Sequence, residues 1–417
     1  MIGMLGGGLL QLVATGRQDI YLSGNPQTTF FKQVYRRHTN FAVESCRIDF
    51  DGSTDFGKVI VATIPRKGDL LNTLILEVSL PSLPQSSTFA ADTSWVNGIG
   101  HAMIEYVSLE IGGKEIDRQY GEWLHIMSSL QVDASKRTGY NNMVGYQEAY
   151  TQGSQSGPMK LYIPLRFWFC NNVGLSLPLV ALQAHPVRVY IKLRPPQDLW
   201  YRDSLVLVST QTLFPPPQPT SFVMWGDYVH LDSDERRRFV SSKHEYLIEQ
   251  TQIQRKTSIP MGATLANVTL DFNNPLKEII WVVQQDRMTA THEWFNYTNR
   301  QLVEESVMLD DQIATAIIRL DGYDRFEVRD ASYFRLIQPW QRHTTIPDDY
   351  IYLYSFSLSP EAAQPQGALN ASRIDTIVLA LTMNPNITRY DSGVTVYATN
   401  YNVLRIAAGL GGVLFAA

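Results

Sequence analysis

The sequence predicts an all-β protein: two tandem eight-stranded jelly-roll β-sandwiches with a few short helices and long surface loops. Three observations lead there. At 417 residues the chain exceeds what one hydrophobic core usually serves, so two domains are expected. Runs rich in β-branched and aromatic residues recur along almost its whole length, bounded by glycine and proline turn signals. The second half then repeats the texture of the first.

Taken in order, Met1 to Gly16 is an apolar, uncharged lead. Asn25-Pro26 is a helix-start signal, with a side-chain acceptor at the cap and a residue lacking an N–H at the first helical position. Phe30, Phe31, Val34 and Tyr35 follow at helical spacing, with Lys32, Arg36 and Arg37 off that face. A short amphipathic helix is expected here, a flap over the end of a sheet, leading into a strand near Phe41. Strand-like runs then lie near 43–50, 58–64, 71–80, 104–111, 114–118, 160–169, 186–194 and 204–213, the eight that a jelly roll needs. Within this half only Gly121 to Gln131 reads as a helix, with Trp123, Leu124 and Met127 on one side.

Phe214-Pro-Pro-Pro-Gln-Pro219 cannot sit inside a sheet and predicts a stiff extended connection. The expected division is an N-terminal apolar assembly segment (1–24), a first jelly roll (25–213), a Pro-rich linker (214–221), a second jelly roll (222–406) and an apolar C-terminal tail (407–417). Runs in the second half fall near 222–231, 244–255, 264–272, 277–285, 313–321, 325–329, 350–359, 374–383 and 393–405, one more than needed, so one is expected to be split or misread. An ordered echo joins the halves. Val107 to Leu124 reads strand, glycine turn, strand, helix, and Ala316 to Phe334 has the same plan about 209 positions later. Two stretches poor in strand signals, 131–159 and 286–312, are long enough to be loops with a purpose, at the same end of the two sandwiches.

Composition narrows the function. Charged residues are 18%, below the quarter usual in soluble domains, while hydrophobic residues reach 44%, which suggests surface buried against neighbours. The net charge of −5, without a Lys/Arg block, gives no phosphate-neutralising surface, so no direct contact with nucleic acid is expected. Cys46 and Cys170 make no disulfide framework and fit a reducing compartment. No run of about eighteen apolar residues would span a bilayer. The apolar lead lacks the positive region of a signal peptide, and Ile2 stands where myristoylation needs glycine.

Chemistry-bearing patterns are absent. His244-Glu245 and His292-Glu293 lack a second histidine four residues after the first, and there is no CxxC or His-x-His. Gly112-Gly-Lys114 reads as a hairpin turn and Asp391-Ser-Gly393 as a tight turn without a partner triplet. Asp232 to Arg238 places acids before bases, as a helix start prefers, with Ser233 as its cap. No catalytic, cofactor-binding or metal-ligating residue is therefore assigned, and no enzyme activity is expected. Sequons occur at Asn267, Asn296, Asn370 and Asn386; Asn296, in the second long loop, is the candidate glycosylation site.

Long strings carry a resemblance. Gly6-Gly-Gly-Leu-Leu-Gln-Leu-Val-Ala14, Asp19-Ile-Tyr-Leu-Ser-Gly-Asn-Pro-Gln27 and Phe30-Phe-Lys-Gln-Val-Tyr-Arg-Arg-His-Thr-Asn-Phe41 closely resemble the opening of the major capsid proteins of nucleocytoplasmic large DNA viruses. Leu161 to Gln183, Asp227 to Phe239, Leu336-Ile-Gln-Pro-Trp340 and Val396 to Ile406 are similar to later segments of that family, so the match runs nearly end to end. His343 stands where two adjacent histidines are expected in many members, and the chain is short for the family, which implies trimmed loops.

The resemblance implies a virion protein of the outer capsid shell, assembled in the host cytoplasm. Three chains would form a pseudo-hexameric homotrimeric capsomer, touching neighbouring capsomers, minor capsid proteins and penton proteins. The long loops would project outward as towers, and the N-terminal segment would lie at the inner face near a viral membrane. Both termini are Gly-rich and apolar, a liability unless partners order them. Leu5, Leu9, Leu10, Leu12, Phe30, Phe31, Tyr35, Leu410 and Phe415 are thus the candidate assembly residues. The alternatives are a double jelly-roll scaffold or minor capsid protein, and a carbohydrate-binding β-sandwich.

Overall fold

A computed structural model describes residues 6–83, 93–147, 157–202, 217–298, 311–384 and 390–415. The chain divides into a small N-terminal unit ending at Asn40 and a large unit, Phe41–Ala417. The N-terminal unit holds helices α1 (Gly7–Val13) and α2 (Ile20–Ser23), neither with a buried residue. The helix expected after Pro26 does not form: residues 27–40 are turn and extended chain, and Asn25 adopts φ 52°. Helical spacing alone does not hold so short a segment, because an isolated helix of that length is marginal without an apolar face buried.

In the large unit, the first sandwich contains β1 (Phe41–Ile48), β2 (Val59–Thr63), β3 (Leu70–Leu80), β4 (Ile104–Ile111), β5 (Lys114–Tyr120), β6 (Met159–Pro164), β7 (Val187–Leu193) and β8 (Ser221–Leu231). They form two antiparallel sheets, ordered β1-β8-β3-β6 and β2-β7-β4-β5. The second contains β9 (His244–Ile259), β10 (Leu265–Leu270), β11 (Pro275–Gln285), β12 (Ile313–Leu320), β13 (Tyr323–Asp324), β14 (Tyr352–Ser355), β15 (Ile377–Met383) and β16 (Ser392–Ala407). Its sheets run β9-β16-β11-β14 and β10-β15-β12-β13, so each strand has its counterpart eight labels earlier. The echo read in the sequence is a repeated jelly-roll topology.

The expected division needs correction on one strand. Placing the linker at 214–221 gave residues 222–231 to the second sandwich, but β8 is hydrogen-bonded between β1 and β3 of the first. Much of the proline run therefore lies in a connection within the first jelly roll, and the division falls between β8 and β9. This also removes the surplus run in the second half. The run at 204–213 and the prolines up to Pro216 lie outside the described residues. The run expected at 325–329 is not a strand: residues 325–328 lie between β13 and a two-residue strand, Arg329–Asp330, which takes in only the last residue of the run.

The strands form because alternate residues are apolar and point into a core. Val187-Arg-Val-Tyr-Ile-Lys-Leu193 and Ile377-Val-Leu-Ala-Leu-Thr-Met383 each alternate buried and half-buried residues along their whole length. Their inward residues join separate cores, one led by Leu74, Leu76, Val107 and Ile191, the other by Trp281, Ile318, Leu379 and Val396. Helix α3 (Gly121–Gln131) follows β5 directly, as expected. Helix α4 (Ala134–Val144), capped by Asp133 accepting from the Ser135 N–H, occupies part of a stretch read as loop. Helix α5 (Ser233–Ser241) links the sandwiches; its cap is Asp232, one residue before the expected Ser233. The last residues are no free tail: β17 (Leu410–Val413) folds back on β16 as a hairpin. No helix among the described residues is long and apolar enough to cross a membrane.

Candidate assembly surfaces

The surfaces that could build an assembly start from the one the chain has already closed. Gly121 opens α3 because a Cβ there would lie 2.2 Å from the carbonyl oxygens of His101 and Ile104. That close approach turns the helix so that Leu124 enters the first core while Trp123, Ile126, Met127 and Leu130 face the second sandwich. There they meet Ile280, Val282, Leu353 and Tyr397 on the outward face of sheet β9-β16-β11-β14. Trp123 and Tyr397 lie ring to ring at 5.4 Å. Leu124 and Met127, read together on one side, thus serve different cores.

Polar groups fix this apolar seam. Glu122 accepts hydrogen bonds from the Tyr297 hydroxyl at 3.0 Å and the Tyr397 hydroxyl at 2.5 Å. Burial, reinforced by the Glu122 carboxylate, raises both phenols well above the usual tyrosine value, so they remain donors. Asp117 on β5 accepts from the Thr251 N–H of β9 at 2.9 Å and from Gln119 Nε2 at 2.9 Å. Burial pushes its carboxyl up to about 6 against these hydrogen bonds. Asp349 lies 3.3 Å from His125 of α3; burial raises its carboxyl, but His125, with Arg137 and the Ser129 hydroxyl, outweighs this and the net shift is downward.

The described part of 286–312 is packed rather than projecting. Trp294 Nε1 donates to the Asp198 carbonyl at 3.0 Å, the Arg194 guanidinium covers the indole at 3.7 Å, and Phe295 stacks on His125 at 4.1 Å. Asn296 is buried, with Nδ2 donating to Glu293 Oε2 at 2.6 Å and Oδ1 accepting from the Thr298 N–H and hydroxyl at 3.0 and 2.6 Å. This corrects the glycosylation expectation, since a glycan needs that amide nitrogen free and accessible. Asn267 and Asn370 are exposed, and Asn386 lies outside the described residues.

The predicted assembly residues sort by place. Leu9, Leu10, Leu12, Phe30, Phe31 and Tyr35 are all exposed within the N-terminal unit, the two phenylalanines almost completely; Leu5 lies outside the described residues. Leu410 and Phe415 are half-exposed on or beside β17. That hairpin is fastened to the first sandwich by the Ala184 N–H donating to the Gly409 carbonyl at 3.0 Å, and Gly411 packs against Leu182 and Ile111.

One apolar surface escaped the sequence reading. A π turn (Tyr333–Ile337) runs into helix α6 (Gln338–Arg342) and exposes Leu336, Ile337 and Trp340. His343 anchors this element. Its Nε2 meets Glu278 of β11 and its Nδ1 meets Glu361, each at 2.9 Å. Burial opposes the imidazolium, but the two carboxylates outweigh it and raise His343 to about 9. Among the described residues no cluster of three or more His, Cys, Asp or Glu could hold a metal ion.

Comparison with known proteins decides what this architecture belongs to. The model of a family described as major capsid protein N-terminus matches residues 29–232, and that of the large eukaryotic DNA virus major capsid protein matches 235–412. The chain belongs to this capsid protein family. Its members include the major capsid protein of Pyramimonas orientalis virus, 37% identical over 437 positions covering 99% of this chain and 100% of the relative. That of Phaeocystis pouchetii virus is 36% identical with the same coverage, but its alignment spans 520 positions, so the relative carries insertions. A quasi-atomic structure of the PBCV-1 virus capsid superposes with a TM-score of 0.79 at 32% identity, over 93% of this chain and 100% of that one. The Faustovirus major capsid protein shares the fold at a TM-score of 0.74 and 12% identity, over 94% of each chain. The two family matches meet between residues 232 and 235, where the sheet pairing also divides this capsid protein.

Proposed function

We propose that the chain is the major structural protein of a large DNA virus shell, and that three copies form a capsomer of near-hexagonal outline tiling an icosahedral surface. The observation that carries this reading is the repeated jelly roll joined by a buried seam: two like blocks per chain make six per trimer. Membership of the large eukaryotic DNA virus major capsid protein family supports the capsid role. Neighbouring capsomers would meet at the sides, with minor capsid and penton proteins and a membrane at the inner face. The exposed apolar residues of the N-terminal unit would be ordered there, and assembly would take place in the host cytoplasm.

Light scattering on the purified chain tests the reading. A mass three times 47.2 kDa with a six-cornered outline in negative stain is expected, and a well-behaved monomer would refute it. Deleting residues 1–16 should leave the folded trimer intact and impair shell assembly; loss of the trimer would contradict that role for the segment.

A further inference from the structure

The seam inside the chain has a counterpart with no partner in the chain's own second sandwich. Helix α3 uses Trp123, Ile126, Met127 and Leu130, spaced i, i+3, i+4 and i+7, so that they share one face. In the sequence, 210 positions on, stand Tyr333, Leu336, Ile337 and Trp340 at the same spacing; in the structure Tyr333, within the π turn, packs against the second core, and the other three face outward. The inward side matches at the same offset: Leu124 lies in the first core and Phe334 in the second, and Gly121 and Ala331 are both buried. What differs is coverage. The four α3 residues are at most 6% exposed, whereas Leu336, Ile337 and Trp340 are 40%, 44% and 70% exposed.

The receiving face has a counterpart too. In the second sandwich Ile280 of β11 lies opposite Tyr397 and Leu353, and α3 covers all three. At the equivalent place on the first sandwich, Ile75 of β3 lies opposite Trp225 of β8 and Pro164 of β6, all half-buried, with the exposed Tyr162 beside them. We infer that Leu336, Ile337 and Trp340 of one copy seat on the Ile75–Trp225–Pro164 face of the next copy, repeating between chains the contact that α3 makes within each chain.

Such a contact is head-to-tail, and one that repeats a single rotation closes into a ring. Three chains then give six similar seams, three internal and three between copies. The large exposed Trp340 is the anchor such an interface would be built around. The seam between copies lacks the internal carboxylate: Ser332 stands at the place of Glu122, and Trp225, at the place of Tyr397, donates its indole N–H to Glu77 at 2.9 Å. The contact therefore centres on apolar side chains beside the Glu77–Lys160 ion pair at 2.7 Å, and an acid introduced against Glu77 should abolish it.

This interface rests on the trimer reading, and the test separates the two. Full-length Trp340→Asp and Ile337→Asp variants are compared by light scattering with wild type and with Met261→Asp, another exposed apolar position. The expected result is a trimer for wild type and Met261→Asp, and one third of that mass for the two helix variants. A photo-crosslinker at Ile337 in the otherwise unaltered chain should link to peptides 70–80, 159–164 or 221–231 of another copy. A wild-type trimer that survives Trp340→Asp, or whose crosslinks map elsewhere, overturns this interface and leaves the trimer standing. A wild-type monomer overturns both.

Discussion

His343 should carry a measurable share of the second sandwich's stability, and its pH dependence is set by its two partners. The imidazole and the Glu278 carboxylate are both wholly buried, and each ring nitrogen reaches a carboxylate at 2.9 Å. Only the imidazolium can donate on both sides. A lift from 6.5 to about 9 corresponds to about 3 kcal/mol favouring the charged form in the folded state. Because the folded value is raised, this stabilisation is fully present below pH 6.5 and is lost as pH rises through about 9. Replacing His343 with glutamine removes the charge and strands Glu278 in the interior, a change that typically costs about 3–5 kcal/mol.

Melting curves from pH 6 to 10 on both proteins provide the assay. Wild type should lose stability steadily above pH 7. The His343→Gln variant should melt well below it at pH 6.5, and the gap should narrow toward pH 10. Adding Glu278→Gln should recover part of the loss by removing the stranded charge. A variant melting with wild type at pH 6.5, or a gap unchanged from pH 6.5 to 10, would refute the reasoning.

Two further substitutions probe the buried polar groups. Asp117→Asn keeps an acceptor for the Thr251 N–H and removes a carboxylate that burial has raised to about 6. Since the folded state holds its proton more tightly, the acid form is favoured as pH falls through 6 toward 3.8. The variant should therefore melt higher than wild type at pH 7.5 and show no gain at pH 4; a lower melting point at pH 7.5 would contradict this. Asn296→Ala removes the hydrogen bonds to Glu293 and Thr298 and the weaker one to the Met288 sulfur, and should lower stability by roughly 1–3 kcal/mol, and peptide mapping should find Asn296 unmodified in native protein. A glycan at that residue would rule out the burial described.

Much of the fold was legible because sandwich strands advertise themselves by alternation. The runs around β1, β3, β4, β7, β11 and β16 needed no tertiary information, and α3 announced itself through Gly121 and its apolar spacing. What failed depended on contacts between distant residues. Pro215 to Pro219 marks a break in the sheet, but only the pairing of β8 with β1 and β3 reveals that the chain returns to the same sandwich afterwards. Phe30 to Tyr35 have helical spacing with none of their side chains buried, and remain unwound. Helix α4 has few apolar residues, so its legible sign was the Asp133 cap. Asn296 satisfied the sequon, but nothing local foretold that Trp294 and Phe295 would pack its loop against Asp198, Arg194 and His125.

The candidate assembly surface was half legible. Apolar residues at the termini stand out by composition, and the structure exposes those it describes. Leu336, Ile337 and Trp340 were noticed as part of a family string, but Pro339 and the π turn obscure their helical face. Their correspondence with α3 appears only once Leu124 and Phe334 are seen entering equivalent cores.

The most direct test of the central claim is a reconstruction of purified mature virions by electron cryomicroscopy, with the particle's proteins quantified by mass spectrometry. This chain is expected as a dominant component, with density for its two jelly rolls repeated three times in each six-cornered capsomer of the outer shell. A mature particle lacking the chain, or a shell built from a different protein, would contradict it and favour a discarded scaffold.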